Sequence, residues 1–143
     1  IQVLLTIAAA LGLGKALSAS GAAQSLASTM LSLAGNHPIW ILLGLYFITV
    51  ALTETISNNA VAAMLIPLAI EIAQAGDINA RPLIIAITIA ASLSFITPIG
   101  YQTNLMVMGP GGYRSRDYLQ CGLPLALLMA VFALTIIPQV WPF

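Results

Sequence analysis

The fold of this chain depends on its most polar interruption, the heptad Thr53-Glu54-Thr55-Ile56-Ser57-Asn58-Asn59. Sixteen uncharged residues at positions 38–53 precede Glu54, and sixteen more follow it at positions 55–70. One straight helix over both stretches would be about 50 Å long, whereas the hydrocarbon core of a bilayer is roughly 30 Å thick. The chain must therefore bend at the polar heptad. Irregular backbone of this kind survives at membrane depth only inside protein or beside a water-filled cavity. We therefore predict a re-entrant hairpin, in which two short helices meet at a polar tip.

Composition places the chain in a membrane. Hydrophobic residues make up 60% of the 143 positions and charged residues 6%, with four basic and four acidic side chains. A soluble domain has roughly a quarter of its residues charged, because its surface faces water. We therefore expect an integral, multi-pass protein of the cell or inner membrane, with the lipid bilayer as a partner. The net charge of zero gives no sign of a nucleic-acid partner.

A second polar break divides the longest uncharged run, residues 82–113. These 32 residues are too many for one ordinary span, which takes about 20. The interruption is Thr97-Pro98-Ile99-Gly100-Tyr101-Gln102-Thr103-Asn104. Pro98 removes a backbone donor and Gly100 admits unusual dihedral angles, so we expect a spanning helix to unwind here.

The rest of the chain is divided by polar residues, Pro and Gly. The Ala-, Ser- and Gly-rich stretch 16–33 suits a helix at the membrane interface better than a span. The turn at 76–79 predicts a cap for the next helix, by Asp77 or Asn79. Uncharged residues 118–143 predict a final span. The chain starts inside an apolar run without Met or a basic leader, so we expect it to be a piece of a longer protein.

The two breaks are the candidate functional site. Each brings the end of one short helix and the start of another into the membrane. Free carbonyls at a helix C-terminus suit a cation such as Na⁺, and free amides at an N-terminus suit an anion. The polar residues that could bind an oxyanion are Ser57, Asn58 and Asn59 at the first break, and Thr103 and Asn104 at the second. The alternative is that these side chains only cap their helices.

Glu54 is the one acid that we expect at membrane depth. An intramembrane carboxylate is a candidate cation ligand or proton carrier. The alternative is a buried structural acid that hydrogen-bonds the backbone of the hairpin. We favour this alternative, because the neighbouring carbonyls already suffice for Na⁺.

No signature of an enzyme is present in the sequence. It contains no metal-ligand cluster, nucleophile elbow or phosphate-binding loop. We therefore do not predict an enzyme.

At both breaks the sequence resembles the divalent anion:sodium symporters, the carriers of dicarboxylates, citrate and sulfate. That family has a hairpin with a Ser-Asn-Thr signature in each of two inverted halves. Here the matching stretch is 53–60, with Asn59 in place of the usual Thr. The second match is 97–104, continuing into Gly109-Pro110-Gly111-Gly112-Tyr113-Arg114. The resemblance covers essentially the whole chain, in the order of the family's C-terminal half.

The resemblance implies an all-α membrane protein that forms one half of an inverted-repeat transporter. Its partners would be a missing N-terminal half, with its own hairpin and sodium site, and a second copy in a homodimer. The implied segments of this C-terminal repeat are the end of a spanning helix (1–18), an interfacial helix (19–34), the re-entrant hairpin (38–75), a broken spanning helix (80–109) and a final span (117–141).

The resemblance also implies residue roles. Na⁺ would be a transported coupling ion, held by oxygens of Thr53, Ile56, Asn58, Ile96 and Pro98. The anion would contact Ser57, Asn58 and Asn59 on the hairpin side. Thr97, Gly100, Thr103 and Asn104 would complete the pocket on the side of the broken helix.

The implied activity is sodium-coupled symport of a divalent anion. Dicarboxylate carriers usually keep Thr where Asn59 stands, and the run from Gly100 to Met106 is more similar to the branch that includes sulfate permeases. We therefore expect sulfate or a similar inorganic oxyanion, with a di- or tricarboxylate as the alternative. Two further alternatives are an arsenite or Na⁺/H⁺ exchanger, in which Glu54 would titrate, and a membrane assembly subunit that transports nothing.

Overall fold

The computed structural model describes residues 4–5, 8–9, 12, 15–16, 19–34 and 37–143. The predicted end of a spanning helix at 1–18 lies largely outside these residues. The described part of the chain is helical and contains no strand, which confirms the all-α prediction. Its helices are α1 (Ala22–Ala34), α2 (Pro38–Thr53), α3 (Asn58–Gly76), α4 (Ala80–Ala91), α5 (Gln102–Met108) and α6 (Ser115–Val140).

Local sequence explains where the helices start and stop. Pro38 opens α2 in the first turn, where its missing N–H would have no partner anyway. Asp77 ends α3 in the left-handed conformation, at φ 50°. The side chain of Asn79 then accepts a hydrogen bond from the Arg81 amide at 3.0 Å and caps α4. Of the two predicted caps, Asn79 is therefore the one confirmed, whereas Asp77 closes the preceding helix.

Both predicted breaks are present, but the second lies at 92–101 and not at 97–104, because Gln102, Thr103 and Asn104 already form the first turn of a helix. Helix α2 ends at Thr53 and α3 begins at Asn58, so residues 54–57 form the first break. Helix α4 ends at Ala91 and α5 begins at Gln102, which leaves the unwound segment 92–101 between them.

The lengths of the helices bear on how they sit in a bilayer. Helix α2 has 16 residues, about 24 Å, and is shorter than the hydrocarbon core. Helix α3 continues past Glu71 to Gly76 and has 19 residues. Among the described residues, α3 and α6 are long and apolar enough to cross a membrane. The re-entrant course of the hairpin stays a prediction.

Helix α4 is the centre of the packing and contacts α2, α3 and α6. Its Ala86 and Ala90 are completely buried, and such small residues allow neighbouring helices to approach closely. Helix α6 faces this core with a narrow stripe at helical spacing: Gly122, Ala126, Ala130, Ala133 and Ile137.

The opposite face of α6 is apolar and exposed. Val131 and Phe132 are 63% and 56% exposed, and several leucines of the same helix are also exposed. Large apolar faces of this size need lipid or protein as a cover. The helix therefore fits a membrane protein rather than a water-exposed one.

We expect Asn79→Ala to destabilise the fold by about 1 kcal/mol, the usual cost of losing a side-chain cap. The substitution also removes a bond in which the Asn79 amide donates to the main-chain oxygen of Pro142 at 3.3 Å. Thermal unfolding in detergent would measure the loss. Asn79→Asp is the matched control, because its carboxylate still caps α4, and it should lose less. Equal stability of wild type and Asn79→Ala would contradict the role of the cap.

Candidate functional site

Glu54 joins the two breaks. One carboxylate oxygen accepts a hydrogen bond from the amide of Ile96 at 3.0 Å. The other accepts from the amide of Thr97 at 2.7 Å and from the hydroxyl of Ser94 at 3.4 Å. The side chain is only 7% exposed. Because unwinding deprives the amides of 96 and 97 of helical partners, the carboxylate replaces the acceptors that they have lost.

Thr97 completes the connection in the other direction. Its hydroxyl donates to the main-chain oxygen of Glu54 at 2.8 Å and accepts from the amide of Gly100 at 3.3 Å. The predicted structural role of Glu54 is therefore present in a different form. Its carboxylate binds the backbone of the broken helix, not the backbone of its own hairpin.

Gly100 lets the unwound segment lie directly against the hairpin. A Cβ atom at this position would collide with the hydroxyl of Ser94 and lie 2.9 Å from the main-chain oxygen of Thr53. The φ angle of Gly100 is not positive. The structure thus requires glycine here for close approach, whereas the sequence suggested unusual dihedral angles.

Asn104 ties the start of α5 back to the unwound segment. Its side-chain amide donates to the main-chain oxygens of Ser94 at 3.1 Å and Thr97 at 3.4 Å. The hydroxyl of Tyr118 in α6 donates to the main-chain oxygen of Asn104 at 2.8 Å. Both amide hydrogens of Asn104 are therefore used, and only its oxygen remains available. Its predicted contact with the anion stays a prediction.

Thr53 attaches the hairpin tip to the end of α4. Its hydroxyl is completely buried and donates to the main-chain oxygen of Ala91 at 2.6 Å. The same hydroxyl lies 3.0 Å from the side-chain oxygen of Asn58. The first polar break is therefore bound to the end of α4 through Thr53 and to the unwound segment through Glu54.

Three other predicted site residues have polar side chains that are not engaged in the hydrogen bonds of the described structure. Ser57, Asn59 and Thr103 are exposed, and their side chains form no hydrogen bond among the described residues. Ser57 precedes the first residue of α3 without a side-chain cap, and α3 has no acid in its first turn. The first amides of α3 therefore lack a side-chain acceptor. This arrangement weighs against the alternative in which Ser57 only caps its helix.

The predicted sodium ligands include four main-chain oxygens without hydrogen-bond donors. Within the described part of the chain, no N–H or O–H donates to the carbonyls of Thr53, Ile56, Ile96 or Pro98. Pro98 and Thr53 are buried. Carbonyls of unwound backbone at helix ends are groups that transporters use to coordinate Na⁺.

A cavity of about 420 Å³ lies beyond Asn104, between α5 and α6. Its lining is mostly apolar, and its one charged side chain is the acid Asp117. An acidic, apolar cavity does not suit an oxyanion. The candidate site is therefore the junction of the two breaks, not this cavity.

Two members of the site were not predicted, Ser94 and Tyr118. Ser94 lies in the uncharged run just before the predicted break, where its Ser-Leu-Ser context resembles a helix end. Tyr118 opens the final apolar run, and a tyrosine there is typical of a membrane interface. Their contacts connect residues distant in the chain, so no local pattern signals them.

The fold and the site together define a helical membrane protein with two unwound polar segments, the arrangement in which secondary transporters build their sites. The citrate transporter family (CitMHS) matches residues 1–143. The chain belongs to that family, which consists of transporters and not of enzymes. This membership agrees with the resemblance to the divalent anion:sodium symporters.

Curated relatives are similar to nearly the whole chain. An uncharacterized transporter of Synechocystis is 39% identical over 91% of this chain and 21% of its own length. Probable sodium/sulfate cotransporter 3 of Chlamydomonas reinhardtii is 38% identical over 98% of the chain and 16% of its own length. The sodium-dependent dicarboxylate transporter SdcS of Staphylococcus aureus is 28% identical over 98% of the chain and 27% of its own length. The chain thus spans about a fifth of these relatives.

We expect Glu54→Gln to destabilise the protein by about 2 kcal/mol, because one carboxylate oxygen becomes an NH₂ group that faces a buried donor. Glu71→Gln is the matched control, because Glu71 is a partly buried acid of α3 whose side chain forms no hydrogen bond among the described residues. Thermal unfolding in detergent compares the two. Equal stability of the two variants would contradict the bridging role of Glu54.

Proposed function

We propose that the complete protein is a sodium-coupled symporter of a divalent anion, with sulfate or a similar inorganic oxyanion as the substrate. This chain would supply the C-terminal repeat of the transport domain. One observation carries the proposal: the uncapped start of α3 and the donor-free carbonyls lie on two breaks that Glu54 binds together. The hydrogen bonds of Glu54 would then hold an anion site and a cation site at a fixed distance from each other.

In this proposal Na⁺ is a transported ion held by oxygen atoms. Its ligands would be oxygens of Thr53, Ile56, Asn58, Ile96 and Pro98. They come from both breaks, so Na⁺ would fix the hairpin tip relative to the unwound segment. The absence of donors at the four carbonyls named above supports this set.

The anion would bind beside the cation, at the hairpin tip. Ser57, Asn58 and Asn59 would offer side-chain donors together with the first amides of α3. On the other side of the pocket would stand Thr97, Gly100, Thr103 and Asn104, of which Thr103 has the side-chain donor that is not already used within the structure. Since no basic side chain lies within either break, neutral donors and the nearby Na⁺ would balance the charge of the anion.

The stoichiometry and the partners follow from charge and symmetry. A divalent anion needs at least two Na⁺ for an electroneutral cycle. One site here and one in an N-terminal half would meet that need.

We propose that this half, with the second hairpin of an inverted repeat, lies in the remainder of the protein, and that two copies form a homodimer. The hairpin would be re-entrant, with α2 and α3 as its arms.

Similar proteins support the choice of substrate class. Three sodium/sulfate cotransporters of Chlamydomonas reinhardtii, one of them named as probable, are 36–38% identical to the chain. The dicarboxylate transporter of Staphylococcus aureus is 28% identical. The difference favours an inorganic oxyanion over a carboxylate.

We expect the complete protein, reconstituted in vesicles, to take up labelled sulfate in a Na⁺-dependent manner and in preference to succinate. Ser57→Ala combined with Asn59→Ala should abolish most of the uptake, because two uncommitted donors are lost at the tip. Thr135→Ala is the control, since this exposed hydroxyl bonds only to its own helix.

The other outcomes correspond to the alternatives. Uptake of succinate in preference to sulfate would indicate a carboxylate carrier. Proton antiport that depends on Na⁺ or arsenite would indicate an exchanger. Uptake unaffected by the double substitution, at normal expression, would overturn the transport role of the tip.

Asn59 should influence which anion is preferred. Asn59→Thr removes an amide donor and widens the pocket, so we expect the ratio of sulfate to succinate uptake to fall. Competition between the two anions at saturating Na⁺ measures this ratio. Asn59→Ser is a useful comparison because it retains a hydroxyl but lacks the methyl group of Thr. An unchanged ratio of sulfate to succinate uptake in both variants would show that Asn59 does not influence substrate selection.

A further inference from the structure

One peptide unit of the unwound segment is held from two opposite sides. The N–H of Ile96 donates to the carboxylate of Glu54 at 3.0 Å. The oxygen of the same peptide belongs to Phe95, and it lies against Gly122 of α6. No peptide among the described residues is cis. Because the C=O and N–H of a trans peptide point in opposite directions, this unit lies between Gly122 and Glu54.

Gly122 leaves no space for a side chain. A Cβ atom there would overlap the main-chain oxygen of Phe95 and lie 3.1 Å from the Cα atom of Ile96. These are backbone atoms, so rotation of a side chain would not relieve the overlap. The peptide would have to move away from α6, toward the carboxylate of Glu54.

Helix α6 is well suited to act as a fixed support. Its buried stripe at Ala126, Ala130 and Ala133 continues from Gly122 into the core. One turn before Gly122, the hydroxyl of Tyr118 binds the main-chain oxygen of Asn104 at 2.8 Å. The same face of α6 therefore contacts the unwound segment and the start of α5.

We propose that Gly122 is a positioning residue for the sodium site, an inference that rests on the function proposed above. The peptide next to Phe95–Ile96 carries the Ile96 oxygen, and its own N–H, from Thr97, binds Glu54 at 2.7 Å. Displacement of Ile96 therefore moves that oxygen relative to the oxygens of the hairpin. Gly122 sets this distance without touching Na⁺ or the anion.

The test is the Na⁺ dependence of anion uptake by the complete protein carrying Gly122→Ala. We expect the Na⁺ concentration for half-maximal uptake to rise about tenfold, as for loss of a group that orients metal ligands. Maximal uptake at saturating Na⁺ should be retained. Gly109→Ala is the matched control, because a Cβ atom there would meet nothing within 4 Å. It should leave the Na⁺ dependence unchanged.

A second substitution separates positioning from general damage. Glu54→Asp shortens the acid on the far side of the peptide and should weaken Na⁺ binding by itself. In combination with Gly122→Ala it makes room for the displaced peptide. The double variant should then need less Na⁺ than Gly122→Ala alone, whereas independent effects would multiply. If Gly122→Ala does not accumulate in the membrane, recovery of uptake in the double variant supports the proposal, and no recovery overturns it.

The outcomes distinguish the two proposals. Na⁺-dependent uptake by wild type, with Gly122→Ala equal to Gly109→Ala, would overturn the role of Gly122 alone. A fall in maximal uptake with an unchanged Na⁺ requirement would also overturn it. Wild-type uptake that is independent of Na⁺ would overturn the proposed function, and the sodium site with it.

Discussion

The structure depends on the hydrogen bonds between a buried acid and an unwound stretch of backbone. A carboxylate without donors is costly to bury, and so are amides without acceptors. Glu54 and the amides of Ile96 and Thr97 satisfy each other. In the hydrocarbon region no water would replace either partner. Each of the two breaks therefore makes the other energetically tolerable, and neither is an isolated defect.

Two glycines leave the space that these hydrogen bonds require. Gly100 brings the unwound segment against the backbone of the hairpin, and Gly122 brings the other side of that segment against α6. At both positions the neighbour is partly or wholly main chain, which does not rotate away as a side chain would. The unwound segment is consequently positioned by backbone contacts on two sides.

Much of this fold could be predicted from local sequence, because its causes are local. The polar heptad coincides with the first break, and Asn79 caps the helix that follows it. Pro98 lies within the second break, but α4 already ends at Ala91, and Pro67 and Pro124 are accommodated inside helices. The bond between Glu54 and Ile96 has a different origin. It joins residues 42 positions apart, and its donor is a main-chain amide that every residue except proline has. No residue type signals such a partner, so the sequence indicated a buried structural acid but pointed to the wrong stretch of backbone.

The polar side chains of the site fall into two sets, those that hydrogen-bond within the structure and those that do not. Thr53, Glu54, Thr97 and Asn104 are engaged with each other or with the backbone, whereas Ser57, Asn59 and Thr103 are not. The groups that hydrogen-bond the Glu54 carboxylate are all uncharged, and no basic side chain lies within either break. In the proposed cycle, a carboxylate at this position would attract Na⁺ and would disfavour an anion at the tip until a cation is bound. The acid that joins the two breaks would thereby also make anion binding depend on sodium.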